Sequence, residues 1–333
     1  MSLSILRSGL LTTVQDLGRT GYQQHGIPVS GAMDAVALRV ANLLVGNDES
    51  TGGLEITLHG PIIRFEADHL IALTGAHLSP TLDEQPAPMH RPIWVPAGAV
   101  LAFGAAVAGC RAYLAVSGGF ALPPVLGSQA TYQRAGLGGL HGRALQAGDQ
   151  LPGRQLMQTI QAKQIHAKWT AATWTPGPTL CPRPRPQPVV RVVQGPEYEQ
   201  FSAESRQQFL KQPFAITPQS DRMGYRLQGP ALARETDVEL LSSAVTFGTV
   251  QVPPNGQPII LMADRQTTGG YPRIAQVITA DFGALAQAVP GQFVRFQEVS
   301  LAEAQALYLA QEQLLRDLRR GVKFKISTKQ ESL

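Results

Sequence analysis

At 333 residues, with 44% apolar and only 16% charged side chains, the chain has material for a sizeable core and for two domains of ordinary size, which excludes a disordered protein. Its 33 glycines and 25 prolines favour short strands joined by tight turns over a helical bundle. The net charge of +4 is small and six Lys or Arg lie at or beyond Arg316, so no basic stripe interleaved with aromatics points to nucleic acid.

The first distinctive segment runs from Thr13 to Asp34. Gly18, Gly21, Gly26 and Gly31 read as positions needing positive φ or close approach by another group. Asp16, Arg19 and Asp34 are charges among apolar neighbours, where an unpaired charge is costly. Two readings stand side by side: a strand–turn–helix connection whose charges pair with each other, or a site-forming loop. A helix follows, with Met33, Val36, Ala37, Val40, Leu43 and Leu44 at helical spacing, Ser30 or Asp34 as its N-terminal acceptor, and Gly46-Asn47 as its stop. Short apolar runs at 62–65, 70–73, 100–103 and 113–116, bounded by Gly, Pro or Asp, predict strands.

Six prolines within 176–188 cannot continue a helix or donate to a ladder, and predict a polyproline-type spacer between domains. Beyond it, strands are expected at 189–193, 239–241, 249–252, 259–262, 274–278 and 293–296, with a short helix at 203–210 capped by Ser202. A last helix starts at Ser300, with Glu303 completing a capping box. Leu307, Leu314, Leu315 and Leu318 form its apolar stripe, Gly321 is its expected end, and a mobile basic tail is expected after it. The resulting division is a β domain over 1–175, a linker over 176–188, a second β domain over 189–299, a helix over 300–321 and a tail over 322–333. The fold class is mainly β with a few helices.

Free-standing catalytic signatures are missing. No GxxxxGK[ST] phosphate loop occurs, the glycine cluster at 136–142 misses the dinucleotide spacing by one position, and Ser117 lacks the glycine two residues earlier that a nucleophile elbow needs. Cys110 and Cys181 are far apart, and the seven histidines show no metal-ligand spacing, so no metal site is expected. No signal-peptide pattern and no apolar stretch of membrane-spanning length occurs, so no membrane partner is expected and a cytoplasmic location is. Such a chain suits an active site completed by partner proteins.

Two segments carry the best local chemistry. In Ala263-Asp264-Arg265-Gln266-Thr267-Thr268-Gly269-Gly270-Tyr271-Pro272, the hydroxyls and glycines expose backbone N–H groups able to cradle a carboxylate or phosphate. Asp264 is a candidate base or orienting group there, and Tyr271 a phenolic donor. The alternative is a glycine-rich turn capped by its hydroxyls. In Asp221-Arg222-Met223-Gly224-Tyr225-Arg226, Arg222 or Arg226 could grip a carboxylate with a bidentate fork; the alternative is a salt bridge to Asp221 at a strand start.

Taken together, ordered blocks along nearly the whole chain resemble one family. They are the 13–34 segment, Asn42-Leu43-Leu44-Val45-Gly46-Asn47, Leu73-Thr74-Gly75-Ala76, Arg111-Ala112-Tyr113-Leu114-Ala115-Val116-Ser117-Gly118-Gly119, Ser220 to Leu227, and Thr267 to Pro272. The family is the one variously called allophanate hydrolase subunit 2, KipA-like, or the C subunit of bacterial 5-oxoprolinase. The resemblance implies two cyclophilin-like β-barrel domains. It also implies a subunit of an ATP-dependent complex that opens 5-oxoproline to glutamate together with a KipI-like B subunit and a LamB/YcsF-like A subunit. ATP would be used by that complex, with no metal site and no covalent biotin in this chain. A cleft between the two β domains is then the expected substrate site. Asp16, Arg19, Ser30 and Asp34 would come from one side, and Arg222, Asp264, Thr268, Gly269, Gly270 and Tyr271 from the other, with Asp264 and Tyr271 in catalytic roles. The same resemblance admits a carboxyltransferase component of a biotin-dependent urea carboxylase-type system. This chain has no Met-Lys-Met biotinyl site, so the carrier there would be another protein. It also admits a non-enzymatic antagonist of a KipI-like kinase inhibitor.

Overall fold

The computed structural model describes residues 2–154, 168–235 and 240–331; His166 and Glu239 lie outside the described residues. The chain forms two compact units. Met1–Gly18, Asp34–Arg183 and Glu312–Leu333 make the first, Arg19–Met33 and Pro184–Gln311 the second. The chain therefore enters the second unit early, through the loop that precedes the first helix.

The first unit contains two six-stranded sheets. One is ordered Gln150–Pro152, Ser2–Arg7, Ile62–Phe65, Val100–Ala102, Thr81–Leu82, Gln85–Pro86; the other Thr170–Ala171, Pro92–Val95, His69–His77, Ala108–Val116, Gly53–Thr57, Leu11–Gln15. Strand alternation explains how one sequence serves two faces. Ile71 and Leu73 join Ile5, Phe65, Leu54 and Leu114 in the core formed by residues of both sheets. Leu70, Ala72 and Ala115, one residue out of phase, instead pack against Val40, Leu43 and Leu44 of α1 (Ala35–Leu44). Leu180, within the proline-rich stretch, and Leu315 are buried in that same cluster.

The second unit is built on a closed seven-stranded barrel in the order Val189–Gln194, Arg273–Val277, Thr249–Gln251, Ile259–Leu261, Gly224–Gln228, Phe214–Ile216, Phe293–Glu298. The ring closes by parallel pairing of Val189 with Arg295. α2 (Ala203–Lys211) starts where Ser202 Oγ accepts from the Ser205 amide at 3.1 Å, and Phe209 of this helix stacks on Phe296 with ring centroids 4.3 Å apart. α3 (Phe282–Ala286) follows the Arg273–Val277 strand. The mainly β class is therefore observed, with the barrel closed in the second unit and the paired-sheet form in the first.

Three local expectations differ. Leu240 and Leu241 are in no strand; Leu241 is 93% exposed, and the strand there is Ser243–Ala244. Apolar residues without a pairing edge form no strand. Gly321 does not end the last helix: α4 runs Leu301–Glu331, so the expected tail continues it. Gly321 carries no left-handed φ, and a stop glycine needs that conformation. Finally, Leu315 of the expected stripe is fully buried, while Leu314 is exposed.

Candidate functional site

In the second unit, the 19–33 loop meets two barrel edges. Asp264 and Arg222 follow and precede the neighbouring strands Ile259–Leu261 and Gly224–Gln228, which pair Gly224 with Leu261. That register places the two side chains together, and the Asp264 amide also donates to the Arg222 carbonyl at 2.7 Å. The Arg222 guanidinium forks onto the Asp264 carboxylate, with Nε to Oδ2 at 2.9 Å and Nη2 to Oδ1 at 3.0 Å. Ser30 Oγ donates to Asp264 Oδ1 at 2.5 Å, and Arg222 Nη2 donates to the Gly31 carbonyl at 2.7 Å. All of Ser30, Arg222 and Asp264 are buried.

The loop backbone is shaped for this. Gly31 has φ +87°, as its glycine allows, but Ser30 sits at φ +58°, where an L side chain is strained. Such strain persists where surrounding contacts over-determine it and is concentrated at functional sites. Here those contacts are the two bonds to Asp264 and Arg222. Arg19, almost fully buried, anchors the other end of the loop through its amide, which donates to the Val29 carbonyl at 2.8 Å. Arg222 pairs with Asp264 rather than with Asp221, whose Oδ1 instead accepts from the Met223 and Gly224 amides.

The rest of the 263–272 segment is placed differently. Thr268–Gly269 pairs with Ser243–Ala244, and Gln251 Nε2 donates to the Tyr271 carbonyl at 3.2 Å. A Cβ on Gly269 would lie 2.6 Å from that same Gln251 Nε2, so a larger residue there would have to displace the Gln251 side chain. Thr268, Gly270 and Tyr271 are exposed, in contrast to buried Asp264. The segment therefore divides into a buried carboxylate and an exposed rim that carries the Tyr271 phenol.

In the first unit, Asp16 and Asp34 act on backbone and hydroxyl groups. Asp16 accepts from the Gly18 amide (2.8 Å), Ser128 Oγ (2.7 Å) and the Gln129 amide (2.6 Å), so all its partners here are neutral donors. Asp34 caps α1 by accepting from the Ala37 amide at 3.0 Å, and its own amide donates to the Tyr113 hydroxyl at 2.8 Å. That phenol in turn donates to Glu55 Oε2 at 2.8 Å, with Arg111 Nε 3.9 Å from the other Glu55 oxygen. Burial, then the nearby Glu55 carboxylate, pushes the Tyr113 hydroxyl pKa well above its ordinary range. Sequence reasoning missed this Glu55–Tyr113 pair. Its only sequence trace is strand alternation: the antiparallel register places Tyr113 opposite both Glu55 and Thr74, on one face. Among the described residues no group of three or more His, Cys, Asp or Glu is arranged to hold a metal ion, and no helix is long and apolar enough to cross a membrane.

A two-sheet unit and a closed-barrel unit in one chain form the architecture of a carboxyltransferase-type module. Comparison with known proteins agrees: the carboxyltransferase domain family, subdomains A and B, matches residues 25–298. The chain is 45% identical to the 5-oxoprolinase C subunit of Escherichia coli over 91% of this chain and 93% of that protein, and 43% identical to its Haemophilus influenzae counterpart over 93% and 95%. Its fold superposes on Kluyveromyces lactis urea carboxylase with a TM-score of 0.87 at 30% identity, covering 96% of this chain but only 29% of that larger one. The chain belongs to the carboxyltransferase subdomain A and B family that includes these two 5-oxoprolinase C subunits.

Proposed function

We propose that this chain is the C subunit of an ATP-dependent 5-oxoprolinase, which with A and B subunits opens the lactam of 5-oxoproline to glutamate. The observation that carries the reading is the 45% identity to the Escherichia coli protein over nearly the full length of both chains. The B subunit is the KipI-like protein and the A subunit the LamB/YcsF-like protein of this proposal. In the reaction, water adds to the lactam carbonyl carbon and the ring C–N bond breaks, leaving a carboxylate and an amine. The carbonyl oxygen gathers negative charge on the way, and fixed donors aimed at it lower the barrier.

The geometry supports a division of labour within the second unit. Arg222 and Ser30 hold Asp264, and the cluster fixes the 19–33 loop against the barrel edge. The exposed Thr268, Gly270 and Tyr271, with Gly269 between them, are the groups assigned to contact a substrate carboxylate or carbonyl, the Tyr271 hydroxyl as its donor. Asp264 and Tyr271 are the catalytic pair of this reading, with Arg19 supporting the loop. Asp16 and Asp34, engaged by backbone donors, shape the chain at either end of that loop. ATP is used by the complex as a whole; in this chain the Arg222 fork is already engaged by Asp264 and the Gly31 carbonyl, a donor set that does not fit a triphosphate cradle.

Reconstitution tests the reading. The chain is co-purified with its A and B partners and glutamate release from 5-oxoproline with ATP is followed, omitting each subunit in turn. Glutamate release that requires this chain is the expected result; full activity without it rejects the proposal. Tyr271→Phe and Asp264→Asn, assayed in the same complex, are each expected to lower kcat; unchanged turnover removes those two residues from the catalytic roles. A second reading is favoured by the likeness to urea carboxylase: a carboxyltransferase component served by a biotin carrier on another protein. Carboxyl transfer from a carboxylated carrier to urea, absent 5-oxoproline turnover, would select it.

A further inference from the structure

A groove of about 510 Å3 lies within the second unit, away from the polar bonds of the Ser30–Arg222–Asp264 cluster. Its walls are mostly apolar: Phe247 and Phe282, whose ring centroids are 4.4 Å apart, face Leu301 and Tyr308 on the first turns of α4. Among the described lining residues Arg265 is the one charged side chain.

The environment of Arg265 sets it apart. In this unit the half-buried Arg191 is matched to Asp281 at 2.5 Å, Arg273 to Glu197 at 2.7 Å and the buried Arg222 to Asp264 at 2.9 Å. Arg265 makes no ion pair among the described residues. Its contacts are two long ones, Nε to the Val245 carbonyl at 3.5 Å and Nη1 to the Met262 carbonyl at 3.3 Å. Burial pulls its pKa down to about 10, with only partial relief from the neighbouring Asp264. A half-buried cation without a counter-ion is unfavourable, and an anion delivered to it recovers that cost. Two other polar groups of the groove are engaged with each other and with the backbone: Gln276 Oε1 accepts from Thr246 Oγ1 at 3.0 Å, and Gln276 Nε2 donates to the Phe247 carbonyl at 2.7 Å.

We propose that this groove is a second ligand site, taking a small carboxylate with an apolar or aromatic body, its carboxylate on Arg265 and its body between the Phe247–Phe282 pair and Tyr308. The volume falls in the range of small-molecule pockets, and one charged anchor in an apolar cleft is their usual composition. Because Arg265 adjoins Asp264 in the chain, a ligand here is placed to bias the buried cluster, and the coupling between the two sites is reciprocal in binding free energy.

The test uses 3-phenylpropionate as probe and its uncharged amide as control, titrated calorimetrically into the full chain. Saturable binding of the carboxylate and at least about tenfold weaker binding of the amide are expected, the size of one charge-assisted contact. Arg265→Gln should abolish that discrimination, Arg265→Lys should retain part of it, and the exposed Arg226→Gln should leave it unchanged. Equal affinity for acid and amide, or a wild-type affinity in Arg265→Gln, overturns the proposal; loss of the discrimination in Arg226→Gln with Arg265 intact overturns it too. Should Arg265→Gln fail to fold, Ala304→Phe fills the groove from α4, and undiminished probe binding by that variant would also reject the site. None of these readouts involves 5-oxoproline, so the outcome is independent of the proposed activity.

Discussion

At the scale of single residues, the cluster around Asp264 behaves as a buried ion pair with two auxiliary bonds. Removing one partner leaves the other charge buried, so Asp264→Asn is expected to destabilise the protein by about 3–5 kcal/mol, read as a lower urea midpoint at unchanged m-value. Replacing both partners, as Arg222→Met with Asp264→Leu, should cost less than the sum of the single changes, because no charge is left alone. Additive losses would show that the two side chains do not act as a pair. Ser30 separates two effects at one position. Ser30→Ala loses its bond to Asp264 at strained φ, whereas Ser30→Gly loses the same bond but relaxes the backbone. The glycine variant is therefore expected to be the more stable of the two in thermal denaturation; the opposite order would mean that the backbone there is unstrained. Of these residues, Arg222 and Asp264 were recognisable from sequence as a possible carboxylate grip and an orienting acid. Their mutual pairing was not, because it depends on a strand register between segments some forty residues apart.

At the scale of elements, α4 shows where local rules were sufficient and where they were not. Its start was legible: Ser300 Oγ accepts from the Glu303 amide at 3.1 Å, as the capping-box pattern predicts. Its end was not, since a glycine marks a helix stop only when the chain after it turns away. Gly321 lies inside the helix with no heavy atom near the position of an added Cβ. Gly321→Ala is thus expected to stabilise the protein by about 0.5–1 kcal/mol, through helix propensity alone. A loss of stability would mean that Gly321 is a cap after all. Within the first unit this part of α4 is tied to α1: Leu315 is buried with Val40, Leu43 and Leu44, and Arg39 forks onto Glu312 at 2.5 and 2.8 Å while also reaching Glu49. Leu315→Ala should accordingly cost about 2–5 kcal/mol, whereas its exposed neighbour Leu314→Ala should change stability little.

At the scale of the whole molecule, acid stability has an identifiable contributor. His69 begins the central strand of one sheet and is fully buried beside the Phe65 ring, and burial holds its pKa down to about 4 from 6.5. Between those values the unfolded chain binds the proton and the folded chain does not. Stability is therefore fully present above pH 6.5 and falls as pH drops toward 4, by an amount on the order of 3 kcal/mol. Urea unfolding at a series of pH values should show this slope in the wild type and a flatter limb in His69→Leu. An identical slope in both would assign the acid sensitivity to other groups.

The sequence by itself determined the mainly β class, the helix after Asp34, most strands of the barrel and the residues from which a site could be drawn. These follow from near-neighbour physics: side-chain alternation, capping oxygens, glycines and prolines that punctuate the chain. Only the tertiary structure decided that residues 19–33 belong with the second unit, that Asp264 is held by Ser30 and Arg222, that Tyr113 reaches Glu55, and that Arg265 lines an apolar groove with no ion pair among the described residues. Each of those depends on groups distant in sequence meeting at one place, and the free energy of burying or pairing a charge is set by those neighbours rather than by the residues beside it in the chain.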